Sequence, residues 1–459
     1  MSEFLFEPGE KGQPSPGEVG VRASATAAMG GTPRLRIPHR DQVEMRWASL
    51  DQLLEFGHRA RVVWAAVCGL DLSRWLDEIK AVEGHVGRDA TDPRLLVALW
   101  VFATLDAVGS AREVARLCQE HLAYQWLCGG VGVNHRLLSE FRSHHGDKWD
   151  DLLTQIVASL MAEGLVTMQR VAQDGMRVRA DAGKSSFRRQ GRLQECLAEA
   201  REQVEKLKQL AEESPGEWTA RQRAARERAA EDRVRRIEEA LRNCEELQRQ
   251  REAGAKKSGR KVREARASTT DPTARTMQFS DGGYRPGYNV QFSTDTASGV
   301  IGGVDAVNVG SDAELLPPML DQHQERYATT PDEAVVDGGF ASINAIEEAA
   351  DKHACTVYAP LKDEEKQRAA GKDPHARKKG DSEAVAAWRA RMGTATAKAI
   401  YQLRCQTAEW VNALCRNRGF WKMPVRGLVK CRTVAVLYAI THDLLVGVKL
   451  RAEAQMSAA

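Results

Sequence analysis

The order of apolar and polar positions divides the chain into segments of different period. From about Asp41 to Gly164 the period is helical. Asp92-Pro93 opens a helix through Leu95, Leu96, Leu99 and Phe102, with proline at its start. Ser110 is the expected N-cap of a helix carrying Val114 and Leu117 on one face. Tyr124, Trp126 and Leu127 follow, and Gly129-Gly130 ends that segment. Then come Leu137, Leu138 and Phe141, and finally Trp149, Leu152, Leu153, Ile156 and Leu160. Short helices joined by tight turns, the penultimate one ending in Arg142, His144 and His145, form either a helix-turn-helix DNA reader or a plain bundle. Ahead of them, residues 1–40 are rich in Gly, Pro, Ser and Glu without a period, which predicts a disordered tail.

The period then shortens to two. Leu165 to Asp174 alternates with β-branched residues and predicts a strand. After Phe187 a charged helix begins, with Leu193, Leu197, Ala200, Val204, Leu207 and Ala211 on a heptad seam. Ser214-Pro215-Gly216 breaks it, and a second seam runs through Ala230, Val234, Ile237, Leu241 and Cys244. Two such helices predict an antiparallel hairpin inserted over 188–265, either self-packed or serving dimerisation or DNA clamping. Strand patterns resume at Gly287–Thr294 and Gly299–Asn308, a predicted hairpin around 295–298. A helix from Asp312, a buried strand Glu333–Val336, a helix Ile343–Ala350 and a strand Cys355–Leu361 follow. Lys362–Met392 is charged and reads as a loop or lid. Helices over about Thr394–Cys415 and Val429–Leu445 close the chain. Without the insertion the order is β-β-β-α-β-α-β-α, which describes a mixed sheet with helices on its faces.

The 459 residues suffice for two or three cores, here an all-α part over 41–164 and an α/β part over 165–450. The longest apolar run, Leu95–Leu105, falls short of the roughly 20 residues a bilayer demands, and no signal peptide is legible. Nine scattered cysteines without a C-x-x-C pair argue against a disulfide framework or zinc knuckle and for a reducing cytoplasm. Net charge is only +3, but basic residues cluster. Arg404–Arg451 holds nine Lys or Arg against two acids, Glu409 and Asp443, interleaved with apolar residues as on a DNA-facing surface. Arg251–Ser268 holds seven against two and reads equally as a solvated linker.

Asp174 and Asp337 fall at the ends of the first and fourth predicted strands, and Glu409 falls in the penultimate helix. Strands one and four can be neighbours, and a helix against their edge can deliver the third acid. Three carboxylates without Cys or clustered His suit hard divalent ions such as magnesium or manganese. A pair of such ions supports in-line phosphoryl displacement. The bland alternatives stand beside this: both Asp-Gly pairs are common turn formers, and Glu409 is placed to pair with Arg404.

Taken together these motifs resemble the insertion-sequence transposases with an Asp-Asp-Glu (DDE) triad, over roughly Arg34 to Leu445. The resemblance rests on the stretches from Asp92 and Tyr124, on QDGMRVRADAGKSSFRR around Asp174, and on STTDPTARTM around Asp271. It rests also on GGYRPGYNVQFSTDTASGVI from Gly282, VVDGGF around Asp337, and YQLRCQTAEWVNALCRNRG from Tyr401. It implies a ribonuclease-H-like core, a helical DNA-binding N-terminal domain, and Asp174, Asp337 and Glu409 as the catalytic, metal-binding triad with two Mg2+ or Mn2+ ions. It further implies binding of terminal inverted repeats, DNA strand cleavage and strand transfer, a synaptic homodimer on double-stranded DNA, and a nucleoid-associated place in a bacterial cytoplasm with no membrane. Related transposases carry a Tyr, Arg, Glu, Lys/Arg signature, which Tyr401, Arg404, Glu409 and Arg416 fit except that four residues, not three, separate Arg404 from Glu409. The resemblance makes Tyr401, Arg404 and Arg416 expected DNA-binding residues, Arg416 either holding a phosphate near the metals or facing solvent, and Arg418, Arg426 and Lys430 extend that track. A nuclease that cuts without joining, and a DNA-binding descendant without activity, are the competing readings.

Overall fold

The structure is a computed structural model that describes residues 43, 45, 47–84, 89–213, 218–259 and 261–458. Met1–Ala48 and Ser49–Ala459 are separate units, and every element belongs to the second. The expected tail over 1–40 and the breaker Ser214-Pro215-Gly216 lie outside the described residues.

Eight helices come first: α1 (Leu50–Leu53), α2 (Arg59–Cys68), α3 (Ser73–Leu76), α4 (Pro93–Leu105), α5 (Ala111–Glu120), α6 (Leu122–Cys128), α7 (His135–His144) and α8 (Gly146–Ala162). Their starts follow local chemistry. Asp92 accepts from the Arg94 N–H ahead of Pro93, Ser110 caps α5, and Gly129 ends α6 in the left-handed region. One expectation changes here. Arg142 does not face outward as a DNA reader would: it is 4% exposed, its guanidinium lies 4.0 Å from the Trp100 ring centre, and its Nη1 donates to the Gly109 carbonyl.

The first strand, β1, spans Arg170–Arg179, so it starts and ends five residues later than its alternation had suggested. The Asp174-Gly175 pair is no turn; alternation continues through the buried Met176 and Val178. Next come β2 (Phe187–Arg188), α9 (Gln190–Glu213), α10 (Ala220–Ser258) and β3 (Ala267–Ser268). Strands β2 and β3 pair antiparallel, and Arg201–Glu238 and Arg233–Gln203 contacts show that α9 and α10 run antiparallel as a hairpin. The seam residues Leu193, Ala200, Ala230, Ile237 and Cys244 are buried.

Strands β4 (Arg275–Gln278), β5 (Tyr284–Asp295) and β6 (Ile301–Val307) precede α11 (Leu316–Tyr327), β7 (Glu333–Val336), α12 (Ile343–Asp351) and β8 (Thr356–Tyr358). The sheet runs β4-β5-β1-β7-β8, with β6 also on β5. β1 pairs antiparallel with β5, and β7 pairs parallel with β1 and β8. The mixed sheet is therefore as expected, with β4 an addition. The loop expected over Lys362–Met392 instead holds α13 (Glu364–Ala369) and α14 (Glu383–Met392). Val385, Trp388 and Met392 form a single apolar stripe, which suffices to dock a helix whose other faces are charged. The single helix expected over 394–415 is two, α15 (Ala395–Gln406) and α16 (Ala408–Asn417), broken at Thr407.

The last helix, α17 (Leu428–Ala458), packs against α4, α8 and β6, and one buried cluster runs from Leu54 through the sheet to Leu444. By length and composition Leu428–Ser457 is apolar enough to cross a bilayer, but 72% of that window is buried inside the fold. It is a core helix through its middle, where Thr433–Leu444 is buried, while its first turn and its end from Val448 reach the surface.

Candidate active site

The parallel pairing of β1 with β7 runs from Arg170 opposite Glu333 to Gln173 opposite Val336 and stops there. Asp174 and Asp337 are the next residue of each strand. β1 continues because β5 holds its other edge through Arg179, whereas β7 turns away after Val336. Asp337 makes that turn: its Oδ1 accepts the Gly339 N–H at 2.7 Å. Of the two Asp-Gly pairs, this one is turn chemistry as well as a carboxylate. At Asp174 the following glycine has another cause. A Cβ on Gly175 would crowd Gln291 Nε2, Asp312 Oδ1 and Asn289 Oδ1, so a side chain there requires that hydrogen-bonded group to shift.

The third acid comes from α16. On an unbroken helix Arg404 and Glu409, five residues apart, would point roughly 140° from each other. The break at Thr407 (φ −118°, ψ −85°) absorbs the extra residue and turns both inward. Arg404 Nη1 then donates to Glu409 Oε1 at 2.7 Å, while its Nη2 lies 3.1 Å from Asp174 Oδ1 and 4.0 Å from Asp337 Oδ2. One guanidinium reaches all three acids. The side chains of Arg404 and Asp174 are 14% and 15% exposed, those of Asp337 and Glu409 38% and 46%. Glu409 sits in the first turn of α16, where the helix dipole favours an anion.

Burial pushes the Asp174 carboxyl above its ordinary range; Arg404 opposes this and the neighbouring Asp337 charge adds to it. Burial disfavours the Arg404 cation, yet Asp174 holds its pKa above the ordinary value. Tyr401, half-buried beside Arg404, has its phenol pushed up by burial. One functional candidate escaped the sequence: Asn412, 4% exposed, donates from Nδ2 to Asp174 Oδ2 at 3.0 Å. It lies one turn beyond Glu409, and that spacing was the available signal.

Among the described residues no three Asp, Glu, His or Cys side chains are spaced to hold an ion as they stand. The donor chemistry nonetheless fits a hard cation: three carboxylates face one positive charge, so the cluster carries an excess of negative charge that a divalent ion satisfies. Next to Asp174 and Asp337 lies an open cavity of about 850 Å³, walled by Arg177, Arg179, Arg285, Arg416 and Trp421. Arg416 lies 5.7 Å from the Trp421 ring centre, Arg177 is held by Asp312 at 2.8 Å, and Arg179 is exposed. Sequence reasoning missed Arg177 and Arg179 because it ended the first strand at Asp174, and Arg285 because it began the next strand at Gly287.

The other expected DNA contacts separate. Arg418 turns inward: burial pulls its pKa down, and its Nη1 is buried without a hydrogen-bond partner among the described residues. Arg426 and Lys430 line a different cavity, where Arg426 Nη2 is 2.9 Å from Asp181 Oδ2. Lys184–Arg189 forms the base of the hairpin, with Ser186 and Ser268 hydroxyls 2.7 Å apart. Asp271 is buried and accepts the Tyr288 hydroxyl at 2.7 Å, tying β5 to the preceding loop.

Comparison with known families places two regions. Residues 48–144 match the family described as a transposase domain (DUF772), and residues 258–444 match the transposase DDE domain. No curated protein and no solved structure matches the chain.

Proposed function

The chain belongs to the DDE transposases of insertion sequences, and from that premise we propose that it binds the terminal inverted repeats of its element, cleaves the DNA there and transfers the strands to a target. The observation that carries this reading is the single guanidinium contacted by Asp174, Asp337 and Glu409 where parallel β1 and β7 part. Three antiparallel strands followed by two parallel crossover strands support a ribonuclease-H-like core for it. Binding sites in such sheets lie beyond the carboxyl ends of parallel strands, which is where the acids meet.

The three acids would hold two divalent cations, magnesium or manganese. When bound, these supply activation of a water or 3′ hydroxyl and charge compensation at the leaving oxygen. The chain's own residues do the rest. Asn412 fixes the Asp174 carboxylate through its Oδ2. Arg177, Arg179 and Arg416 face the cavity beside the acids and hold phosphates of the bound duplex; Trp421 backs Arg416. Arg404 lies against the three acids and offsets part of their negative charge, with Tyr401 beside it. A homodimer pairing two element ends is part of the proposal.

The test uses a duplex carrying the inverted repeat beside the gene. Wild-type protein with Mg2+ is expected to nick at the repeat end and join it to a second DNA. Asp337→Asn is expected to bind the same duplex and neither nick nor join. Normal cleavage by that variant would overturn the triad, and nicks without joined product would favour a hydrolytic nuclease.

A further inference from the structure

The second cavity, about 660 Å³ and open to solvent, is lined by Arg142, Arg235, Arg236, Arg426 and Lys430. These come from three places remote in sequence: α7, the hairpin helix α10, and the stretch that leads into α17 with that helix's first turn. Not all of that charge is neutralised internally. Asp181 engages Arg426 and Asp232 engages Arg235, but among the described residues Lys430 is exposed without an ion pair and the buried Nε of Arg236 has no hydrogen-bond partner. Arg142 Nε is likewise buried and unpartnered. Those Nε atoms are closed to solvent and Arg142 is engaged by Trp100 and the Gly109 carbonyl, so the cavity's free charge comes from Lys430 and the rest of the Arg236 guanidinium.

The cavity adjoins the candidate active site along the chain. Arg179 lines the first cavity and Asp181 the second; Trp421 lines the first and Pro424 the second. From Asp174 to Asp181 is seven residues, at most about 24 Å even if fully extended. DNA rises about 3.4 Å per base pair, so the two sites lie no more than roughly seven base pairs apart along a bound duplex. We propose that this cavity is a second phosphate-binding site, built jointly by the inserted hairpin and the stretch from Pro424 to Lys430, which grips the duplex backbone within about seven base pairs of the scissile phosphate. The idea rests on the transposase reading for the meaning of the scissile end. The hairpin would thereby serve DNA binding and not only its own packing. Its open form and charge suit an exposed sugar-phosphate strand, since positioning contacts to DNA are made to phosphates by Arg and Lys.

The experiment measures duplex affinity by fluorescence anisotropy in EDTA as salt is raised, so cleavage does not enter. For Arg236→Gln/Lys430→Gln the slope of log K against log salt is expected to shrink by about 1.8, two phosphate contacts' worth. Lys208→Gln, which removes a lysine elsewhere on the hairpin, is expected to leave the slope unchanged. Glu239→Gln removes an acid from the cavity wall and is expected to tighten binding at low salt. Methylphosphonates placed in turn at each of the first seven base pairs from the cut are expected to include one position that weakens wild type several-fold and the double variant hardly at all. An unchanged slope in the double variant, or equal methylphosphonate effects in both, would overturn the proposal. Absent strand cleavage by wild type with an altered slope in the variant would instead sink the transposase reading and leave the phosphate site standing.

Discussion

Replacing Arg404 by glutamine removes the one cation that all three acids share. The magnitude follows from exposure. Arg404 and Asp174 are both about 15% exposed, and breaking a buried pair costs roughly 3–5 kcal/mol. The Asn412 amide and Gly175 N–H continue to serve Asp174, which puts its share near the lower end, about 3 kcal/mol. Asp337 and Glu409 are more than a third exposed, so solvent screening limits each of their contacts to about 1 kcal/mol or less. The variant should therefore be destabilised by roughly 4 kcal/mol in EDTA. A divalent cation answers the same excess of negative charge. At a hundred times its dissociation constant it contributes about 2.7 kcal/mol, and the variant should recover more than wild type because no guanidinium competes. Urea denaturation midpoints with EDTA and with Mg2+ measure this. A gap between variant and wild type that is the same in both conditions would refute the reasoning, because the acids would then not share one site for positive charge.

Gly175→Ala would drive a methyl group into Gln291, Asp312 and Asn289, displacing the carboxylate that holds Arg177. Overpacking of this kind costs about 1–3 kcal/mol, so a variant within 0.5 kcal/mol of wild type in urea unfolding would show that these side-chain ends move aside and that close packing does not require the glycine. His323 is fully buried, its Nε2 2.9 Å from Ser293 Oγ, and burial together with Arg326 pulls it down to about 3. Below its ordinary value of 6.5 the unfolded chain takes up a proton that the folded one refuses until about pH 3. Stability contributed by the neutral ring is thus present at pH 7 and lost as pH falls through that window, by about 1.4 kcal/mol per unit. Urea midpoints of His323→Gln should fall less steeply than wild type between pH 6.5 and 5; parallel curves would refute this.

Local chemistry along the chain determined the helical first part, the antiparallel hairpin and the strand order. Each rests on a period or a cap that acts within a few residues, such as Asp92 ahead of Pro93 or the heptads from Leu193. The same reasoning singled out Asp174, Asp337 and Glu409 but took Asp174 as a strand end, because Asp-Gly is an ordinary turn signal when nothing beyond its neighbours is seen. What occupies the space above Gly175 comes from Asn289, Gln291 and Asp312, more than a hundred residues away. The helix break at Thr407 is also invisible in a period that runs smoothly through it. Packing on β1 rewards turning Glu409 and Asn412 toward Asp174, and that reward exists only once the sheet has formed. Charge behaved the same way. The basic residues of 404–451 were legible as a set, but the tertiary structure divided them, sending Arg416 to the acids, Arg426 and Lys430 to the hairpin, and Arg418 inward. A sequence records which side chains carry charge, while the direction each one faces is settled by what its backbone is packed against.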